Sequence, residues 1–378
     1  MVRDTVNTQI DLQILERYAR LLLHYCLQAR EGQRLFVSST FLAEPLLQAL
    51  HREATRNNVS MEYDLGFQHK SSIFWQEAKG SILDAEAALP LYAMEHFDGY
   101  LAIRAPYDLY EDVHATADQK KRRAAAGKKA NDAYFRRTGE GSMVRSLCQY
   151  PTQASAEAAG MTLDEYANFV FNACRLFDED AVQSWLNVRS AQQGIVDLLN
   201  TCDVIQYKNE KSDIQFSVKG RTWINSDGRA NMPSGEVFTG PVEDSVNGVV
   251  HFDYPSVFSG FDVQGITLRV KDGQIIDWDA EIGKNVLDQV FAIDGSRYFG
   301  EVAIGTNYHI QRPTRNILFD EKIGGSIHMA VGQSYIQSGG KNQSAIHWDM
   351  ISDMRKGGEI LADGEVIYRD GYFLDFQL

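Results

Sequence analysis

Residues 35–65, LFVSSTFLAEPLLQALHREATRNNVSMEYDL, decide the reading of the first half of the chain. Leu35-Phe36-Val37 is a short apolar run. Pro45 to Arg56 has helical composition with its proline near the first turn, and Val59 to Leu65 is extended again. Strand, helix and strand within about thirty residues predict a parallel βαβ unit. Upstream, Ile14, Leu15, Tyr18, Leu21, Leu22 and Tyr25 keep the spacing of one helix face. Downstream, Gly99-Tyr100-Leu101-Ala102-Ile103 adds a candidate strand. The expected architecture is an α/β N-terminal domain with a Rossmann-like open sheet. Ser38-Ser39-Thr40-Phe41 lacks the glycines of a phosphate loop, so no nucleotide is expected there.

Further along, Thr162-Leu163-Asp164-Glu165 fits a capping box, and helix is expected to about Leu199. From Cys202 onward the pattern turns to strands. Ile214, Phe216 and Val218 alternate with polar residues, as do Ile266, Leu268 and Val270. Asp272-Gly273, Asp363-Gly364 and Asp370-Gly371 each sit between apolar runs, where this dipeptide signals a hairpin. The second domain therefore reads as mainly antiparallel, β-rich α+β, with domains expected at 1–200 and 201–378. A chain of 378 residues, 44% hydrophobic and 23% charged, has the size for two globular domains.

The formal charge of −14 disfavours nucleic acid and anionic lipid as partners. No apolar run is long enough to span a membrane, and residues 1–8 are too polar for a signal peptide, so a cytoplasmic location is expected. Cys26, Cys148, Cys174 and Cys202 lack the paired spacing of a zinc or redox motif and read as buried thiols. The basic stretch 120–137, with Lys120, Lys121, Arg122, Arg123, Lys128 and Lys129 among alanines, reads either as an anion-binding patch or, more simply, as a solvated helix face.

Chemistry concentrates near the C-terminus. In Ser344-Ala345-Ile346-His347-Trp348-Asp349-Met350-Ile351, strand alternation puts His347 and Asp349 on one face and Ile346 and Trp348 on the other. His328 lies inside the apolar segment Gly324–Ala330, where an unpaired imidazole is costly to bury. Glu236, in Asn231-Met232-Pro233-Ser234-Gly235-Glu236-Val237-Phe238, and Glu301, in Phe299-Gly300-Glu301-Val302-Ala303-Ile304, are acids followed by apolar residues. Buried strands are depleted in glutamate, so both need a cation or a function. Three carboxylates and two imidazoles suit a dinuclear site for Zn²⁺, Co²⁺ or Mn²⁺, with Mg²⁺ possible.

Residues 231–241, Gly300-Glu301-Val302-Ala303, His328-Met329-Ala330-Val331-Gly332 followed by Tyr335, and Ser344–Ile351 resemble, in order and spacing, the metal-dependent aminopeptidases typified by the thermophilic aminopeptidase T and its staphylococcal and streptococcal relatives. The resemblance covers nearly the whole chain. It implies two divalent ions in the β-rich domain, short peptides with a free N-terminus as substrates, and a homodimer enclosing the active sites. It also implies Glu236, Glu301, His328, His347 and Asp349 as metal ligands, with Tyr335 beside them. Glu321 resembles a further family carboxylate, set two residues farther from the histidine than in many relatives, and Gly235 stands where many members carry a second glutamate. In that reading a water between two cations loses a proton near neutral pH and attacks the peptide carbonyl. The α-amine meets a metal or a carboxylate such as Glu301 or Glu321, Tyr335 donates to the developing oxyanion, and either Glu301 or Glu321 relays the proton to the leaving amine.

Two other readings use the same residues. His328, His347 and Asp349 could form the mononuclear iron(II) arrangement of ring-cleaving dioxygenases, to which these peptidases look distantly related. That reading leaves Glu236 and Glu301 without a duty. A non-catalytic metal-binding module is the third, and the full ligand set argues against it.

Overall fold

The computed structural model describes residues 10–377; residues 1–8, read above for targeting, lie outside them. The chain folds into two compact units, one running to Val182 and including Arg229–Met232, the other made of Gln183–Gly228 and the chain from Pro233 onward. This division falls ahead of the boundary that the sequence places near residue 200. Most of the long helix Ala181–Leu199 goes with the second unit because Ile195, Val196 and Leu199 are buried in that unit's apolar core.

In the first unit a parallel sheet runs in the order Ser60–Gly66, Arg34–Thr40, Gly99–Arg104, Val144–Gln149, Asn231–Met232. Leu35, Val37, Leu101 and Ile103 bury its centre, and the helix Glu44–Arg56, opened by Pro45, makes the crossover predicted from residues 35–65. Val144–Gln149 escapes a sequence reading because Arg145, Ser146 and Gln149 interrupt its apolar pattern. The first helix begins at Leu12, capped by Asp11, whose side chain accepts from the Gln13 amide at 2.8 Å. The basic stretch lies on the helix Ala117–Gly139. Most of its cations are used within the chain. Lys120, Arg122, Lys128 and Lys129 pair with Asp112, Asp84, Asp132 and Glu86, and Arg137 donates to the carbonyls of Met94 and Phe97.

The second unit holds an eight-stranded and a five-stranded antiparallel sheet. The larger runs in the order Gln274–Asp279, Ile266–Lys271, Asn247–Phe252, Asp213–Ser217, Val204–Lys208, Glu359–Ala362, Glu365–Arg369, Tyr372–Phe373. Its three tight hairpins are the Asp-Gly turns. Asp272, Asp363 and Asp370 have φ of 49°, 49° and 51°, and their glycines 79°, 90° and 91°, the positive pair that a two-residue hairpin requires. The smaller sheet runs in the order His347–Asp353, Ser326–Gly332, Phe299–Gly305, Glu236–Thr239, Ile224–Ser226. One core draws on both sheets, with Tyr207, Phe216 and Val250 from the larger and Val302, Met329 and Met350 from the smaller. Each fully buried large apolar side chain contributes roughly 1.5–3 kcal/mol.

Candidate metal centre

The register of the smaller sheet assembles the site. Glu301 pairs with Ala330 and Ala330 with Asp349; Ala303 pairs with His328, Gly305 with Glu236, and Gly332 with His347. Directly paired residues share a face and so do alternate residues along a strand, so Glu236, Glu301, His328, His347 and Asp349 all project from one face. Between them stand Ala303, Gly305, Ala330 and Gly332, too small to fill the space. On the opposite face Val237, Val302, Ile304, Ile327, Met329, Val331, Trp348 and Met350 enter the apolar core. The strands Glu236–Thr239, Phe299–Gly305 and Ser326–Gly332 are buried throughout.

The distances are short. His328 Nε2 lies 3.4 Å from Glu236 Oε2 and 3.4 Å from Glu301 Oε1. His347 Nε2 lies 3.2 Å from Glu301 Oε2 and 3.6 Å from Asp349 Oδ1. Three donor groups result, each with its ligand atoms within 4.8 Å of one another: Glu236, Glu301 and His328; Glu301, His347 and Asp349; Glu321, His328 and Asp349. Glu236 Oε2, Asp349 Oδ1 and both ring nitrogens of His328 are buried without a hydrogen bond. Each such group costs roughly 1–3 kcal/mol, more when charged. A cation bound among them removes that penalty, so the donor set fits a metal. His347 Nδ1 lies 2.7 Å from the Gln333 carbonyl. A proton donated there fixes the tautomer and turns Nε2 to the site.

Electrostatics point the same way. Burial alone would depress both imidazoles, but Glu301, Glu236 and Asp349 push His328 up to about 9. Against the same burial, Asp349 and Glu301 push His347 up to about 11. Burial raises the Glu321 carboxyl, Lys322 opposes the shift, and Glu236 and Asp349 add to it. This is the signature of a pocket with a surplus of negative charge. Tyr335 packs its ring against His347 and Phe238, with centroids 5.0 and 5.6 Å apart. Although the residue is 43% exposed, desolvation, and then Glu301 and Asp349, hold its phenol above the ordinary range, so it stays protonated.

The family model for thermophilic metalloproteases (M29) matches residues 12–373. The chain belongs to that family. Among curated relatives, Aminopeptidase 2 of Geobacillus stearothermophilus is 29% identical over 94% of this chain and 97% of its own length. Aminopeptidase T of Thermus aquaticus is 25% identical over 89% and 91%. The solved structure of AmpT from Thermus thermophilus superposes with a TM-score of 0.81 at 22% identity, covering 96% of this chain and 99% of that one. A 2,5-dihydroxypyridine dioxygenase from Pseudomonas putida shares the fold more loosely, with a TM-score of 0.54 at 14% identity over 96% and 97%.

In this M29 protein several residues escape a reading from sequence. Lys322 is completely buried, paired with Glu321 and 3.6 Å from Glu236 Oε1. Its signal was a charged run, Asp320-Glu321-Lys322, between apolar neighbours, which also describes an ordinary turn. Gln192 is buried on the long helix and donates to the Glu236 carbonyl at 3.2 Å while accepting from Thr306. It braces the strand that carries the first ligand. Packing requires glycine at Gly235: at φ +114° a Cβ there would lie 2.7 Å from Asn307 Cβ. Beside His347 and Asp349 opens a cavity of about 280 Å³, walled also by Phe258, Trp348, Ile351 and Arg315.

Proposed function

We propose that the chain removes single residues from the free N-terminus of short peptides at a centre for two metal ions, which Glu301 would hold in common. The protein is then a metalloaminopeptidase, a hydrolase of peptide bonds. The observation that carries the two-metal reading is that Glu301 belongs to two donor groups and turns its two oxygens to different histidines. Glu236 and His328 would complete one position, and His347 and Asp349 the other. Mixed nitrogen and oxygen donors suit Zn²⁺, Co²⁺ or Mn²⁺, with Mg²⁺ the weaker candidate. Ions so held supply Lewis acidity to a peptide carbonyl and acidify a water.

Charge supports two ions. With neutral imidazoles, the charge of Glu236, Glu301, Glu321 and Asp349 is offset at close range by the Lys322 ammonium. One dication leaves the cluster negative, while two leave a single positive charge, suited to an anionic nucleophile and to the oxyanion that forms from the carbonyl. The chain's own residues do the rest. The Tyr335 phenol donates a hydrogen bond where the oxyanion develops. Glu321, ionised in that count and not needed as a bridge, takes a proton from the attacking water and carries it toward the leaving amine. The substrate α-amine would meet a metal or a carboxylate of the cluster. The mononuclear iron reading is less favoured, because each donor group contains only one histidine. The family resemblance further supports a homodimer working in the cytoplasm, with light scattering as the check on assembly.

The test is elemental analysis of protein purified without added metal, followed by mass spectrometry of a peptide incubated with the metal-loaded enzyme, free and N-acetylated. Two ions per chain and a ladder from the free peptide alone are expected. Acetylation removes the amine that positions the carbonyl. Internal cleavage, or equal rates on both forms, would overturn the assignment.

A further inference from the structure

We propose that Arg315 selects substrates by binding a carboxylate, either the free C-terminus of a dipeptide or the side chain of an acidic first residue. The proposal rests on the peptidase reading and names what the cavity beside the metal ligands accepts. Among the described residues lining that cavity Arg315 is the only lysine or arginine, and it shares the wall with His347 and Asp349. The cavity thus has a carboxylate-rich end, which takes the metals and the amine, and a guanidinium. Phe258 and Trp348, with ring centroids 5.1 Å apart, give it an apolar wall for a side chain. Its volume of about 280 Å³ is nearly twice that of the roughly 150 Å³ engineered cavity known to bind benzene, enough for a side chain with some of its backbone.

The loop is built to present this residue. Arg315 has φ +63°, a conformation that a long side chain adopts only when its surroundings impose it. The imposing group is Asp320, itself buried, whose Oδ1 accepts from the Thr314 amide at 2.7 Å and the Thr314 hydroxyl at 2.8 Å. The Asn316 amide in turn donates to the Thr314 hydroxyl oxygen at 3.3 Å. A buried carboxylate therefore organises the turn from Thr314 to Asn316. The guanidinium meets Asp262 at 3.4 Å, with both side chains nearly half exposed. An exposed pair of this kind is weak. A guanidinium has five N–H donors in a planar fork, so a bidentate contact with a substrate carboxylate can compete with it.

The test uses the full-length, metal-loaded enzyme on leucyl-alanine and leucyl-alaninamide, and on the glutamyl and glutaminyl amidomethylcoumarins. The wild type should favour the carboxylate member of one pair by about tenfold in kcat/KM, mostly through KM, the size expected for one charge-assisted contact at a partly exposed site. Preference in the first pair identifies the C-terminal carboxylate; preference in the second identifies the side chain. Arg315→Met should abolish the preference and Arg315→Lys retain part of it. Asp262→Asn, which leaves Arg315 in place and removes its competitor, should widen it. Equal kcat/KM within both pairs, an undiminished preference in Arg315→Met, or a narrowed one in Asp262→Asn would overturn the assignment while leaving the peptidase reading intact. Hydrolysis of none of the four substrates would overturn that reading and this assignment with it.

Discussion

Replacing Glu301 by glutamine separates a bridging ligand from a terminal one. Glu301 is 5% exposed, and its oxygens lie 3.4 and 3.2 Å from His328 and His347. The amide keeps the shape, removes one charge, and turns one oxygen into a donor that cannot ligate. A unit charge about 4 Å from a monovalent cation at an effective dielectric near 20 is worth about 4 kcal/mol, so its loss weakens each ion by at least a thousandfold in Kd. Because Glu301 serves two donor groups, both ions should be lost together. Glu236→Gln disturbs only the group it shares with His328 and should leave one ion bound through Glu301, His347 and Asp349. The assay is metal titration by calorimetry with plasma mass spectrometry for stoichiometry, beside far-UV circular dichroism. The apolar core lies on the other face of the sheet, so both variants should keep the wild-type spectrum. Two ions bound to Glu301→Gln with affinities within tenfold of wild type would refute the bridging geometry.

Tyr335→Phe should lower kcat by tenfold to a hundredfold with little change in KM, the pattern of a contact made mainly in the transition state; unchanged turnover would reduce Tyr335 to a ring packed on His347. Gly235→Ala should cost at least about 2 kcal/mol in urea denaturation, since φ +114° and a 2.7 Å approach to Asn307 combine strain with a clash. A wild-type midpoint would contradict the packing account of this position. In the metal-free protein His328 and His347 are raised to about 9 and about 11, so at neutral pH both imidazoles hold protons that ligation must expel. Apparent metal affinity should therefore rise with pH below about 9, by up to roughly tenfold per unit for each imidazole deprotonated, with proton release seen in buffers of different ionisation enthalpy. Affinity independent of pH between 6 and 8.5 would show the imidazoles to be neutral before metal arrives.

The parts of the fold legible in the sequence are those whose cause is local. The Asp-Gly hairpins read correctly because both residues must take positive φ, and His347 and Asp349 fall together because strand alternation leaves them no other choice. Glu236 and Glu301 drew notice as acids in apolar surroundings, yet their approach to His328 depends on a register between strands far apart in sequence. Lys322, Gln192 and Arg315 were invisible for the same reason: a buried lysine, a bracing glutamine and an arginine at φ +63° look ordinary until the structure gives each its partner. Asn231–Met232 leads into Glu236 without a strand signal of its own, since two residues are too few to carry a strand pattern.

That short strand has a consequence for how the molecule can be dissected. The chain crosses between its units at Val182, at Gly228 and again at Met232, just ahead of Glu236. A single cut after Val182 would strip the outer edge from Val144–Gln149, leaving unpaired backbone of the kind that recruits other strands into aggregates. The orphaned Arg229–Met232 would meanwhile hang from the other fragment. Two units can be told apart here, but gene fission or limited proteolysis at one point should not yield two well-behaved halves. Transplanting the N-terminal unit onto another scaffold would have to carry both of its segments at once.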